Sequence, residues 1–393
     1  MSRFLLVMPP LAGHVNPAAG IAAELAARGH EVAWTGTETV LEPLLGPRAR
    51  VFGTGTRAFR ALGGHGLASV RSLWEGFVVP YAKFTMKPLD AVVREYRPDV
   101  LLVDQYTPAG ALLAHRHGLP WASFAPGAME LGRPYRALPK VEAWMTGLLR
   151  GLWQRARLPE DEYTDPRFSL HLVVATSGRA LLGPGLPELP QHALVGPVLT
   201  ERPADPAFPW ERLDPARRTV LVTMGTLSDA VGADFLDRTV RALARYGEGL
   251  QAVVAASAGA LPAALPDTVV QVERAPILEL LSKGALDAVL CHGGMNTVGE
   301  ALAHGVPLLL APIRNDQPFV AQRVAEAGAG LRVPFTRATP ETIAERLRRV
   351  LDDPSHRAAA QLIRRELLAG GGAVTAADRL EALAPGAAPS PSH

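Results

Sequence analysis

The sequence predicts an α/β protein of two doubly wound, Rossmann-like domains built on parallel sheets. Three observations predict it. The first 120 residues alternate short apolar runs with helix signals, a second such series begins at Thr219, and a proline-dense stretch from Gly183 to Pro215 separates the two. At roughly 150 residues per domain, a chain of 393 residues is most simply two domains of ordinary size.

Each element has its own signal. Arg3 to Met8 is a short apolar run suited to a strand buried on both faces. Asn16 and Pro17 read as a helix start, Asn as cap and Pro at the first helical position, with the helix running to about Arg28 and stopping at Gly29. Glu31 to Thr35 is the second strand, and Asp99 to Asp104 (DVLLVD) is another buried one. Thr107-Pro108 repeats the cap-plus-proline signal for a helix ending near Gly118, and Pro120 to Phe124 is strand-like. In the second series VLVTM, AVVAA, TVVQV, AVLC and VPLLLA are the strands. Helical runs follow from about Ala233, Ile277, Thr297, Phe319 and Thr342.

The expected organisation is a first domain over 1–205, a linker at about 183–215 and a second domain over 216–370. Residues 371–393 should form a final helix and then a disordered tail. Gly53 to Lys87 reads as a long irregular segment carrying Phe59, Trp74, Phe77, Tyr81 and Phe84. Loops of that length inside a compact domain are often functional. Two doubly wound domains are expected to face each other across a cleft at the carboxyl ends of their sheets, where ligands bind in such folds.

Composition narrows the function. Lys+Arg is 40 and Asp+Glu is 38, a formal charge of +2, which gives no support to a nucleic-acid or polybasic membrane-binding role. Hydrophobic residues make up 48% and aromatics only 6%, so the cores must be mainly Ala, Leu and Val. The single cysteine, Cys291, excludes an intrachain disulfide and a cysteine-based zinc site, and reads as a buried strand residue. The first apolar run is too short for a signal-peptide core, and no later stretch approaches the ~20 apolar residues of a membrane span. The expectation is a soluble, cytoplasmic protein.

Several motifs lie where strands give way to helices. GHVNP, Gly13 to Pro17, follows the first strand and puts His14 beside a helix start. The partial positive charge there suits an uncharged imidazole able to accept a proton. A loop histidine that merely bonds the helix start is the competing reading. Asp104 ends a buried strand, so its carboxylate points to the same rim. It could orient His14 as a triad aspartate orients its histidine, or cap the helix after Thr107.

CHGGMNTVGE, Cys291 to Glu300, has a strand, a glycine turn and a helix start, the form of a phosphate site. His292 and Thr297 would add donors, and Glu300 would accept from sugar hydroxyls. A plain strand-to-helix turn is the alternative. MGT, Met224 to Thr226, ends the first strand of the second series. In NDQPF, Asn315 to Phe319, Asp316 and Gln317 are hydroxyl binders or a helix cap.

Other motifs are decoys or absent. GTGTRA, Gly53 to Ala58, matches a dinucleotide pattern but lacks its strand-then-helix context. There is no Asp-x-Asp, no H-E-x-x-H and no G-x-S-x-G.

Taken in this order, GHVNP, HGGMNTVGE and the following Asp-Gln resemble the GT-B glycosyltransferases of the nucleotide-sugar-dependent UGT type. The bacterial branch that glycosylates macrolides and other natural products is the nearest in pattern, over nearly the whole chain. The resemblance implies an inverting, metal-independent transfer of a hexose from a nucleoside-diphosphate sugar to an acceptor hydroxyl, with no other cofactor.

Residue by residue, it makes His14 the general base and Asp104 its orienting carboxylate. His292, Gly294, Asn296 and Thr297 fall at diphosphate positions, Glu300 at the ribose contact, Asp316 and Gln317 at the donor sugar, and Thr226 on the donor side. Arg274, before Ala275-Pro276, stands where the family often has an aromatic residue against the base; a guanidinium plane can stack there too. The acceptor would meet the first domain through Phe59, Trp74, Phe77, Tyr81, Phe84, Met129 and Trp144, unless these are ordinary packing. The final helix is expected to pack back on the first domain.

UDP-glucose or another UDP-hexose is the favoured donor over a TDP-deoxysugar. Asp316-Gln317 offers partners for a fully hydroxylated sugar, and Glu300 for both ribose hydroxyls. The implied partners are thus the nucleotide sugar and a small lipophilic acceptor, with no nucleic acid and no membrane span, and the protein a monomer or homodimer. A nucleotide-sugar epimerase, which needs no acceptor, and a non-catalytic nucleotide-sugar or polyketide binder are the competing readings. The presence of both His14 and Asp104 argues against the binder.

Overall fold

The computed structural model describes residues 1–55, 64, 66–127, 129–133, 135, 138–200, 208–225, 229–257, 259–262 and 264–386. The side chains of Met129 and of residues 229–231 also lie outside the description. Phe59, Thr226 and residues 387–393 of the expected disordered tail therefore fall outside the described residues, while Ala384, the first residue of that tail, packs in the core of the first unit.

The chain divides into two compact units, one of residues 1–178, 185–200 and 369–393, the other of residues 179–184 and 201–368. The first unit opens with β1 (Arg3–Val7), α1 (Ala12–Ala27), β2 (Glu31–Gly36), α2 (Glu38–Leu45) and β3 (Arg50–Gly53). It continues through α3 (Leu67–Leu73), α4 (Val79–Tyr96), β4 (Val100–Asp104), α5 (Pro108–His117) and β5 (Trp121–Ala125). Then come α6 (Met129–Gly132), α7 (Pro139–Arg155) and β6 (Leu172–Ala175). After α8 (Arg179–Leu182), which belongs to the second unit, β7 (His192–Leu194) completes the sheet. Its order is β3-β2-β1-β4-β5-β6-β7, all parallel. Phe4, Leu5 and Leu6 of β1 and every residue of β4 are buried, as strands covered by helices on both faces must be.

The second unit holds β8 (Arg218–Thr223), α9 (Asp229–Ala244), β9 (Leu250–Ala255), β10 (Val269–Val272), α10 (Ile277–Ser282) and β11 (Ala288–Cys291). It ends with α11 (Met295–Ala303), β12 (Leu308–Leu310), α12 (Gln317–Glu326), β13 (Gly330–Arg332), α13 (Pro340–Asp352) and α14 (Pro354–Ala369). Its strands are again all parallel, in the order β10-β9-β8-β11-β12-β13. The last helix, α15 (Gly372–Glu381), returns to the first unit. Ala376, Ala377 and Leu380 enter its core, and Arg28 at the end of α1 binds Asp378 at 2.6 Å and Glu381 at 2.8 Å.

Three sequence expectations are corrected. Helix α1 starts at Ala12 with Leu11 as its N-cap, four residues before Asn16. The N–H groups of His14 and Val15 already bond Leu11 O. Pro17 sits inside the helix because its fixed φ is helical and it removes only one i→i−4 bond.

The segment expected to be irregular from Gly53 to Lys87 is helical from Leu67 onward: α3, a π turn at Trp74–Val78 and α4 follow without a break. Its aromatics obscure the helical period because Trp74, Phe77 and Tyr81 are themselves buried core, stacked at 5.5 Å in the case of Phe77 and Tyr81. The proline-dense stretch, read from the sequence as a linker, contributes β7, paired to β6 with Val173 opposite His192. Three residues are too few to show a period, and flanking prolines, which lack the N–H, confine a strand to a short edge.

Candidate active site

The first sheet reverses its winding between β1 and β4, which are parallel neighbours with Val7 opposite Val103. Such a switch point is where doubly wound sheets bind ligands, because the flanking loops diverge there. β4 ends on Asp104, and the chain leaving β1 turns into α1, whose third residue is His14. The two side chains meet: His14 Nδ1 is 2.7 Å from Asp104 Oδ2. The carboxylate is fully buried, while 17% of the imidazole surface stays exposed.

The rest of the shell fixes the pair. Asp104 Oδ1 accepts the Tyr106 N–H at 2.8 Å, an Asx turn. Asp104 thus does not cap α5, one of the two roles open to it in the sequence. The Tyr106 ring lies 4.9 Å from the imidazole, tilted by 39°, and limits its rotation. A carboxylate only accepts, so His14 Nδ1 carries the proton of this bond and a neutral ring keeps its lone pair on Nε2. The arrangement can withdraw a proton from a hydroxyl placed at Nε2.

The second sheet switches between β8 and β11, with Cys291 opposite Thr223. Cys291 is a buried strand residue, as expected from the sequence. Behind the two strand ends stand Gly225 and the turn His292–Gly294. A Cβ on Gly225 would fall 2.7 Å from His292 Cε1, and one on Gly294 would fall 2.5 Å from His292 Nε2. The two glycines therefore make room for the imidazole, not only for a ligand as the sequence suggested. His292 Nδ1 is buried with no hydrogen-bond partner among the described residues.

The His292 imidazole is pushed down to about 4, first by burial and then by the Arg314 guanidinium, against the Thr223 backbone. An unfolded histidine titrates near 6.5. Between those values the unfolded chain binds a proton that the folded chain does not. The contribution of His292 to stability is expected to fall as the pH drops from about 6.5 to about 4, by about 3 kcal/mol, and that contribution levels off below. Denaturant titrations of the protein and its His292→Asn variant at several pH values check this: the variant should lose that share of the dependence.

α11 starts at Met295 with Gly294 as N-cap. Asn296 and Thr297 occupy its first turn, half-buried, and Glu300 its second turn, buried. The first backbone N–H groups of such a helix are anion donors. Arg274 is exposed and Ala275 half-buried in the turn between β10 and α10. Asp316 is the N-cap of α12 but makes no side-chain cap bond. Gln317 Oε1 accepts the N–H groups of Ile313 at 2.9 Å and Arg314 at 3.0 Å. That oxygen holds the loop after β12 and is not open to a sugar hydroxyl.

The seven aromatic and Met positions expected to meet an acceptor separate. Trp74, Phe77 and Tyr81 are core side chains, the ordinary packing that is the alternative reading for them, and not residues of an irregular acceptor-binding segment. Phe84 on α4 and Trp144 on α7 are half-buried, and Trp144 Nε1 donates to Glu75 at 3.2 Å.

The sequence reading missed Gln105, Thr107 and Arg167 as supports of this site. Gln105 Nε2 donates to Arg167 O at 3.0 Å, and the buried Arg167 guanidinium binds Glu130 at 2.5 Å and Asp165 at 2.7 Å. No motif links these residues, and Arg167 follows a run of acidic residues (Glu160, Asp161, Glu162, Asp165) that reads as an ordinary solvated surface.

Residues 237–383 match the family model described as the erythromycin biosynthesis protein CIII-like C-terminal domain. The 4'-demethylrebeccamycin synthase of Lentzea aerocolonigenes is 31% identical, over 97% of this chain and 99% of its own length. The demethyllactenocin mycarosyltransferase of Streptomyces fradiae is 29% identical, over 98% of this chain and 87% of its own. Among solved structures, the kitacinnamycin glycotransferase superposes with a TM-score of 0.82 at 25% identity, over 98% of this chain and 99% of that one. With two parallel-sheet α/β units of this order, the fold class is GT-B. The chain belongs to the glycosyltransferases of macrolide and other natural-product biosynthesis.

Proposed function

We propose that the protein moves a hexose from a nucleoside-diphosphate sugar to a hydroxyl of a lipophilic natural-product acceptor, with inversion at the anomeric carbon and without a metal. The observation that carries this reading is the 2.7 Å contact of His14 Nδ1 with Asp104 Oδ2. It leaves Nε2 to take the acceptor's proton as its oxygen attacks the anomeric carbon. Asp104 then stabilises the imidazolium that forms.

The bond from the anomeric carbon to the diphosphate oxygen breaks on the opposite face, which inverts the configuration. The start of α11, with Asn296, Thr297 and His292, takes up the charge of the leaving diphosphate, the task a metal ion would otherwise serve. Half-buried Phe84 and Trp144 stand on the acceptor side, with Phe59 and Met129, which lie outside the described side chains, as further candidates.

UDP is the favoured nucleotide, because Glu300 offers two oxygens to two ribose hydroxyls and the deoxyribose of TDP has only one of them. The sugar is a fully hydroxylated hexose, with Asp316 as its acidic partner. With its oxygen committed to Ile313 and Arg314, Gln317 would meet the sugar through its Nε2 donors, beside Asp316 and Glu300.

One experiment tests the whole. The protein is incubated with UDP-glucose and TDP-deoxysugars in competition, against a panel of macrolide and polyketide aglycones, in excess EDTA. A product heavier by one hexosyl residue (a hexose less water), with the anomeric configuration opposite to the donor's, is expected. Retained configuration overturns the inverting mechanism, and activity lost in EDTA and restored by Mg²⁺ overturns metal independence. Preferential use of a TDP-deoxysugar overturns the donor assignment alone.

A further inference from the structure

Thr107 precedes Pro108 at the head of α5 and has the sequence of an N-cap. An N-cap threonine ordinarily turns its oxygen to accept a free N–H of the first helical turn. Here it makes no such bond. The hydroxyl instead lies 2.9 Å from Val7 O and 2.9 Å from Asp104 O, and the residue is 1% exposed. Asp104 O already accepts the Thr107 N–H at 2.8 Å. The distinct contribution of the hydroxyl proton is therefore its bond to Val7 O.

Val7 is the last residue of β1 and Asp104 the last of β4. One strand leads directly into His14 and the other carries its partner. We infer that Thr107 is a positioning residue for the His14–Asp104 pair, its hydroxyl tying together the two strand ends that carry them.

The sheet ladder aligns β1 with β4 only as far as Val7 and Val103. Just past its end the Thr107 hydroxyl ties the turn after Asp104 to Val7 O. On its other side the turn is held by Gln105 Nε2 on Arg167 O. With the hydroxyl removed the ladder still joins β1 to β4, but the turn after Asp104 loses its own tie to Val7 O, and the imidazole loses the fixed distance that proton transfer requires. Misplacement of a reacting group by a fraction of an ångström to one ångström lowers a rate steeply.

The inference rests on His14 being the base, and a double-mutant cycle separates the two claims. Turnover and KM for donor and acceptor are measured for Thr107→Val, Thr107→Ser, His14→Ala and His14→Ala/Thr107→Val, with UDP-glucose and a transferred aglycone. Thr107→Val is expected to lower kcat by about 10- to 100-fold and to leave the donor KM nearly unchanged. Thr107→Ser keeps the hydroxyl and should retain most of the turnover.

In the His14→Ala background the valine should have no further effect, since the group it positions is gone. A valine variant that does not fold, or that loses activity equally in both backgrounds, marks Thr107 as scaffold alone and overturns the inference. A serine variant as impaired as the valine one also overturns it. Near-normal turnover of His14→Ala alone brings down the base assignment instead.

Discussion

Replacing His14 with alanine is expected to cut turnover by about 10²- to 10⁴-fold, the usual contribution of a general base, with donor affinity nearly unchanged. The argument is one of proton inventory. His14 Nδ1 is committed to Asp104 at 2.7 Å, so Nε2 is the ring's proton acceptor. No other described side chain bonds Asp104: its second oxygen takes a backbone N–H, that of Tyr106. Alanine therefore removes the base and supplies no substitute. It also leaves a buried carboxylate oxygen without its partner, at a cost of ~1–3 kcal/mol. Turnover should accordingly be measured well below the variant's melting temperature. Steady-state kinetics at saturating donor and acceptor, with nucleotide affinity by calorimetry, check it; near-normal turnover in a folded variant would refute the assignment.

Asp104→Asn should be almost as damaging, although it changes one atom. Asp104 Oδ1 accepts the Tyr106 N–H, so the asparagine must keep its carbonyl oxygen at that position. Its NH₂ group is thereby aimed at His14. Two donors cannot face each other, so Nδ1 gives up its proton and Nε2 acquires one. The ring is then in the wrong tautomer to accept from a hydroxyl, and no negative charge remains to stabilise an imidazolium. A loss of about 10²- to 10⁴-fold in kcat is expected, by analogy with the same substitution in a catalytic triad. Rapid-quench measurement of the transfer step at saturating substrates reads it directly, and a loss below about tenfold would mean that Asp104 does not set the tautomer.

Much of the architecture was legible because its signals are local. DVLLVD and AVLC are short apolar runs with helices before and after, and a strand covered on both faces has no other pattern. Gly118, after the α5 pattern, ends that helix in the left-handed conformation that its lack of a Cβ permits. The failures had local causes too. Asn16-Pro17 carries a strong start signal, yet the helix had already begun on Leu11. Trp74, Phe77 and Tyr81 looked like a binding loop because bulky aromatics are spaced for a core that only the neighbouring strands complete.

His14, Asp104, His292 and Glu300 were legible as residue types at strand and helix ends, since the chemistry of each is written in its side chain. Their arrangement was not. His14 and Asp104 are ninety positions apart, and nothing in either segment specifies that β1 and β4 are neighbours. That adjacency follows from which strands pair, a property of the whole sheet.

The use of each polar atom was equally out of reach. Thr107 has the sequence of a cap and the structure of a bridge, because the Val7 carbonyl happens to stand within its range. Gln317 has the sequence of a sugar ligand, but its oxygen is spent on Ile313 and Arg314. Composition, element types and candidate chemistry are short-range properties, and the order of residues carries them. Distances, tautomers and the choice of hydrogen-bond partner depend on groups remote in the chain, so they exist only once both sheets have formed.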